Sequence, residues 1–155
     1  GRTAHVDPAL REAALYALRK IPSPRLRSRV QELFEDPAEG VRLEVLRHAV
    51  ASRDTQIGRK IEGRLASPTI VKASDAEIRA LCISLGRILK GEAESILLQL
   101  ALGQKYSPHA MTARMALQGL KAAGSRNARM ALQRIVNESP RLATEAESML
   151  RGMGG

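Results

Sequence analysis

The feature that most constrains this chain is a residue pair that recurs at a near-fixed interval. Residues 36–53, DPAEGVRLEVLRHAVASR, read as one helix. Asp36-Pro37 supplies a cap and a first-turn proline. Val41-Arg42 follows, with Val45, Leu46 and Ala49 at helical spacing. Matching pairs are Leu10-Arg11, Ile78-Arg79, Met111-Thr112 and Leu142-Ala143. Their second members fall at 11, 42, 79, 112 and 143, separated by 31, 37, 33 and 31 residues. Three residues beyond each lies a small or medium apolar group: Ala14, Val45, Cys82, Met115 and Ala146. One further helix fits between successive members. The unit is therefore a helix pair, and a period of this size predicts stacked repeats rather than a closed globule.

The expected elements follow in chain order. Residues 1–6 form a disordered lead. Helices are expected over 8–21, 24–35, 37–53, 55–66, 74–90, 92–103, 108–123, 125–137 and 140–151, with Pro, Gly, Ser or Asp at every joint. Residues 152–155 form a disordered tail. SPTIVKA, residues 67–73, is the longest break and accounts for the one interval of 37. The segment 92–102 is apolar nearly all round, which predicts a helix covered on several sides. Apolar spacing is three and four almost throughout, not two, so the chain reads as all-α: nine helices in one domain, 7–151.

Composition limits the chemistry. Aromatic residues are only Tyr16, Phe34 and Tyr106, so the core must be aliphatic. The formal charge is +9, split as +5 over residues 1–72 and +4 over 73–155. Such a diffuse field speeds encounter with acidic partners of any kind without choosing among them. One cysteine excludes an internal disulfide or an all-cysteine metal site. No apolar run approaches membrane-spanning length; Ile96–Leu102 is seven residues and contains Gln99. The chain begins at Gly1 rather than Met and carries no signal peptide, and cytoplasm is the default expectation.

Asp-Pro followed by Val-Arg, with Ala and Leu at helical spacing, resembles the HEAT repeat and its bacterial relatives, the PBS-lyase HEAT-like repeats. The resemblance covers residues 7–151. It implies a right-handed α-solenoid of antiparallel helix pairs, about four and a half repeats. The Val-Arg helices, 8–21, 37–53, 74–90, 108–123 and 140–151, would line the concave side. It also implies a structural ladder of Asp7, Asp36 and Asp75 with Arg11, Arg42 and Arg79. The ladder should fade where Ser107 and Ser139 replace Asp and Thr112 and Ala143 replace Arg. The first concave helix lacks a convex partner before it, as expected of an array cut from a longer chain.

Residues that bear chemistry read mostly as structure. Cys82 occupies an apolar column and is expected to be a buried small hydrophobe. His5, His48 and His109 lack ligands at metal spacing; His48, beside Arg47, is expected at the surface. Arg11, Arg42 and Arg79 could be a phosphate-reading row, but pairing with the Asp column explains them better. The candidate binding residues are Arg19, Lys20, Arg47, His48, Arg87, Lys90 and Lys121, all on presumed concave helices; a solvated face is the plainer reading. Arg126 and Arg129 cluster with Lys121. No phosphate loop, catalytic triad or paired carboxylates are visible, and no metal or cofactor is expected.

The expected function is therefore a non-catalytic protein–protein interaction scaffold with an acidic partner. The alternative is a nucleic-acid module that holds phosphate backbones. Two weaker readings come only from the resemblance: a HEAT-like DNA glycosylase, for which aromatics are scarce, and a bilin lyase-like subunit.

Overall fold

Capping chemistry decides where these helices begin. The structure is a computed structural model, and it describes residues 9, 24–103 and 109–153. Among the described residues there are eight α-helices and no strand. They are α1 (Pro24–Leu33), α2 (Glu39–Ser52), α3 (Thr55–Ala66), α4 (Asp75–Leu89), α5 (Gly91–Leu102), α6 (Ala110–Ala123), α7 (Arg126–Glu138) and α8 (Ala143–Gly152). The all-α expectation holds. The lead 1–6, the helix expected over 8–21 apart from Ala9, and the candidates Asp7, Arg11, Arg19 and Lys20 lie outside the described residues.

Three caps act as their residue types suggest. Ser74 Oγ accepts the Glu77 N–H at 3.1 Å, with the Ser-x-x-Glu spacing of a capping box. Ser125 Oγ accepts the Ala128 N–H at 3.0 Å. Asp54 Oδ1 accepts the N–H groups of Gln56 and Ile57 at 3.0 and 3.2 Å. Asp36 differs. It stands two residues before Ala38, the N-cap of α2, and its Oδ1 accepts the Ala38 N–H at 2.9 Å. It organises the turn rather than the helix, which starts at Glu39.

The expected break at 67–73 is ordered. Pro68–Lys72 forms a 3-10 turn, capped by Ser67, and Ile70 is buried. At the other end, the helix expected from 140 starts at Ala143, because Leu142 N–H closes a turn on Ser139 O at 3.1 Å. Gly152 completes α8, and Met153 follows it in place; expected disorder from 152 gives way to two ordered residues.

Contacts divide the chain into two compact units, Gly1–Ile57 and Gly58–Gly155. In the first, α1 packs on α2. Val30, Leu33 and Phe34 are buried, as are Val41, Val45, Leu46 and Ala49 of α2. In the second, each of α4, α5 and α6 packs on the next helix and on the next but one, and α7 packs on α8. Its interior is aliphatic, with Leu81, Leu85, Leu97, Leu117, Leu120, Leu132 and Ile135 almost wholly enclosed. Helix α5 touches α4, α6 and α7, as its apolar circumference predicts. Of the recurring apolar column, Val45, Cys82 and Ala146 are fully buried, and Met115 is half-buried. Cys82 is thus a core residue, and burial pushes its thiol up to about 12, far from a reactive thiolate.

Candidate basic interface

The second unit carries most of the charge: residues 58–155 hold 15 basic and 8 acidic side chains, against 10 and 8 in residues 1–57. Its geometry starts at the crossing of α4 and α6. A Cβ at Gly119 would lie 2.5 Å from the Cys82 carbonyl oxygen. A Cβ at Gly86 would collide with the Gly119 carbonyl oxygen and lie 3.4 Å from Ala123 N. Only glycine at both positions lets the two backbones approach so closely. Contacts advance from Cys82 to Gly86 on one helix as they advance from Gly119 to Ala123 on the other, so α4 and α6 run parallel. Their C-terminal ends therefore share one side of the unit.

Arg87, Lys90 and Lys121 sit at those ends, and all three are exposed. Arg87 and Lys121 occupy last helical turns, where cations also complement the partial negative charge of the terminal carbonyls. Lys90 joins α4 to α5 at φ 46°, a backbone region that glycine usually fills.

After α6, Gly124 turns the chain at φ 64° and α7 starts at once. Arg126 and Arg129, one helical turn apart, then share a face of α7. With Lys121, Gly124 and Met153 they line an open hollow of about 650 Å³. Arg129 is steadied there: its Nη2 donates to the Met153 carbonyl at 3.3 Å. The start of α7 is fixed from behind by Ser125, whose hydroxyl donates to the buried carboxylate of Glu94 on α5. Ser125→Ala removes a cap and a donor to a buried acid together. It is expected to lower stability by about 2 kcal/mol, measured by urea denaturation.

The structure sorts the other candidates. Arg47 is exposed, but its Nη1 binds Glu44 Oε2 of the same helix at 2.7 Å. His48 is corrected: it is 7 % exposed rather than a surface contact. It follows Glu44 and Val45 by four and three residues, on the stripe that α2 buries. In the expected ladder, Arg42 Nη1 donates to the backbone carbonyls of Asp36 and Pro37, both at 2.9 Å, and so clamps the turn. Asp75 and Arg79 are exposed, and no hydrogen bond or ion pair joins them. An ion pair that the sequence reading did not name links neighbouring helices instead: Arg114 of α6 with Glu145 of α8, at 3.1 Å.

A second cavity, about 320 Å³, lies among Leu100, Ala101, His109, Ala113, Arg141 and Leu142. His109 Nδ1 shares a hydrogen with Thr112 Oγ1 at 2.7 Å, which fixes the ring beside the α6 N-terminus. Among the described residues, no three His, Cys, Asp or Glu side chains are grouped to hold a metal ion. Among them too, no helix is long and apolar enough to cross a membrane. Comparison with protein-family models, curated proteins and solved structures found no match.

Proposed function

We propose that this chain is a non-catalytic interaction module: a right-handed, HEAT-like α-solenoid whose concave face engages an acidic protein partner in the cytoplasm. The solenoid part draws on the regular packing of α4 to α8, in which α4, α5 and α6 each pack on the next two helices in line. It draws also on the parallel crossing of α4 and α6 at Gly86 and Gly119, which are 33 residues apart, one repeat. In this reading α2, α4, α6 and α8 line the concave side.

The choice of a protein partner rests on one observation: the presumed concave helices carry both signs of charge. Arg47 pairs with Glu44 on α2, and Arg114 with Glu145 between α6 and α8. A surface that follows a phosphate backbone does better with one sign throughout. A mixed surface with excess cations suits a folded or extended acidic protein segment.

The alternative, a phosphate-backbone binder, draws on the surplus of seven positive charges in residues 58–155. Fluorescence anisotropy separates the two. A labelled acidic peptide and a labelled DNA duplex are titrated at low and physiological salt. The proposal expects peptide binding that survives at physiological salt and weakens about tenfold in Arg87→Glu/Lys121→Glu. Tighter duplex binding that collapses steeply with salt supports the nucleic-acid reading and overturns this one.

A further inference from the structure

We propose that the face shared by α4 and α6 seats one amphipathic helix of the acidic partner, an inference that rests on the acidic-partner reading above. From Ile78 to Lys90, α4 leaves only Arg79, Ala80, Ile83, Arg87 and Lys90 unburied. Arg79, Ile83, Arg87 and Lys90 follow one another at steps of four, four and three residues, so they form a single stripe. Arg79, Arg87 and Lys90 are exposed, and among the described residues none of the three has an ion-pair or side-chain hydrogen-bond partner.

The two helices present their uncovered residues on one side. On α4, Gly86 faces α6; on α6, Gly119 faces α4. With about 100° per residue, Ile83 lies about 60° from Gly86 in one rotational sense, and Arg87 about 100° in the same sense. Met115 and Ala122 lie about 40° and about 60° from Gly119 in the opposite sense. Opposite senses on two parallel neighbours point to the same side of the pair. Ile83, Met115 and Ala122, each half-buried, therefore flank the seam, with the cations of α4 alongside.

Charge selects the sign of the occupant. From Arg79 to Lys90 α4 carries no acid, and α6 carries none at all. Glu77 is buried against Arg64, Glu145 pairs with Arg114, and Asp75 stands at the head of α4, one turn before Arg79.

Geometry selects a helix. The face asks for an apolar line and an acidic line running side by side, over the three turns, about 16 Å, from Arg79 to Lys90. A strand sends successive residues to opposite sides, so its two lines point away from each other. A helix carries both as neighbouring stripes along one length. Its apolar stripe rests on Ile83, Met115 and Ala122, and acids one turn apart meet Arg79 and Arg87. Met115, unbranched and adaptable, suits such a contact.

The test uses the full chain and two labelled peptides made of the same leucines, glutamates and alanines. In one, leucines recur at i, i+3, i+4 and i+7 with glutamates beside them; in the other, the same residues are dispersed evenly round the helix. Fluorescence anisotropy at physiological salt is expected to show about tenfold tighter binding of the amphipathic peptide. Ile83→Gln/Met115→Gln is expected to make the two peptides equal. Arg79→Gln/Arg87→Gln is expected to weaken the amphipathic peptide about tenfold, and Lys60→Gln/Arg141→Gln, with the same loss of charge elsewhere, to leave it within about twofold. Circular dichroism checks that each variant folds; should Ile83→Gln/Met115→Gln fail to, the two charge variants decide. Equal binding of both peptides to the unaltered chain overturns the helix assignment and leaves the acidic-partner reading standing. Binding of neither sinks both. A preference that survives in a folded Ile83→Gln/Met115→Gln, or equal losses in the two charge variants, places the helix elsewhere and overturns the assignment.

Discussion

Gly119→Val is expected to lower stability by about 3 kcal/mol or more, whereas Gly63→Ala raises it by about 1 kcal/mol. Both glycines lie inside helices, so propensity alone predicts that any side chain helps at either site. What differs is what the new atoms meet. Around Gly63 a Cβ meets nothing within 4 Å. At Gly119 it meets the Cys82 carbonyl oxygen at 2.5 Å and Leu97 Cδ1 at 2.9 Å. The leucine tip can rotate aside, but the carbonyl belongs to the α4 backbone and cannot yield without parting the helices. Valine adds two methyl groups to that collision. For a chain of this size the loss corresponds to a fall in melting temperature of about 10 °C. Thermal unfolding followed by circular dichroism measures both variants. A neutral Gly119→Val would mean that α4 and α6 do not cross as described.

Arg64→Ala is expected to cost about 3 kcal/mol, the second large effect. Glu77 sits in the first turn of α4 and its side chain is only 3 % exposed. Arg64 of α3 reaches it, Nη1 to Oε2, at 3.4 Å. Removing the guanidinium leaves a buried carboxylate short of its cation, which is costlier than the ion pair is favourable. Arg64 keeps 16 % of its side chain in solvent, so water softens the loss below that of a fully enclosed pair. The partner experiment isolates the cause. Arg64→Met/Glu77→Leu replaces charge with apolar volume and is expected to recover most of the loss. Urea denaturation of the two variants measures this; a double variant as unstable as Arg64→Ala would assign the loss to packing instead.

The helices were legible because their ends are written in short-range chemistry. Ser74, Asp54 and Ser125 cap where their types suggest, and α3 runs over the residues expected of it. The apolar column through Val45, Cys82 and Ala146 likewise marked the interior correctly. The Gly86–Gly119 crossing went unread although a signal was present. Seven residues past each recurring Arg position stand Ala49, Gly86 and Gly119, a small-residue position of the repeat. Larger residues, Leu18 and Leu150, occupy it in the end units.

The buried polar groups had no such signal. At the repeat position of Glu44 the other units carry Ala13, Leu81, Arg114 and Glu145, and at that of Glu77 they carry Ala9, Gly40, Ala110 and Arg141. Averaging over repeats hides a side chain that acts in one unit only. His48 was misjudged for a related reason. A charged neighbour, Arg47, suggested solvent, while the helical position alongside Val45 and Glu44 pointed inward. The hollow at Lys121 depends on a turn of left-handed backbone at Gly124, so the sequence shows three nearby cations but not their common direction.

The one cysteine of this chain is also a clock. Cys82 has no exposed surface, and its own carbonyl forms part of the seam against Gly119. A disulfide reagent can reach it only in the brief intervals when the seam parts. When reclosing outpaces modification, the observed rate reports the fraction of time spent open, and hence the free energy of that opening. Loosening mutations such as Gly119→Val should therefore quicken labelling in proportion to the stability they remove. Changes confined to exposed side chains should leave the tempo as it was.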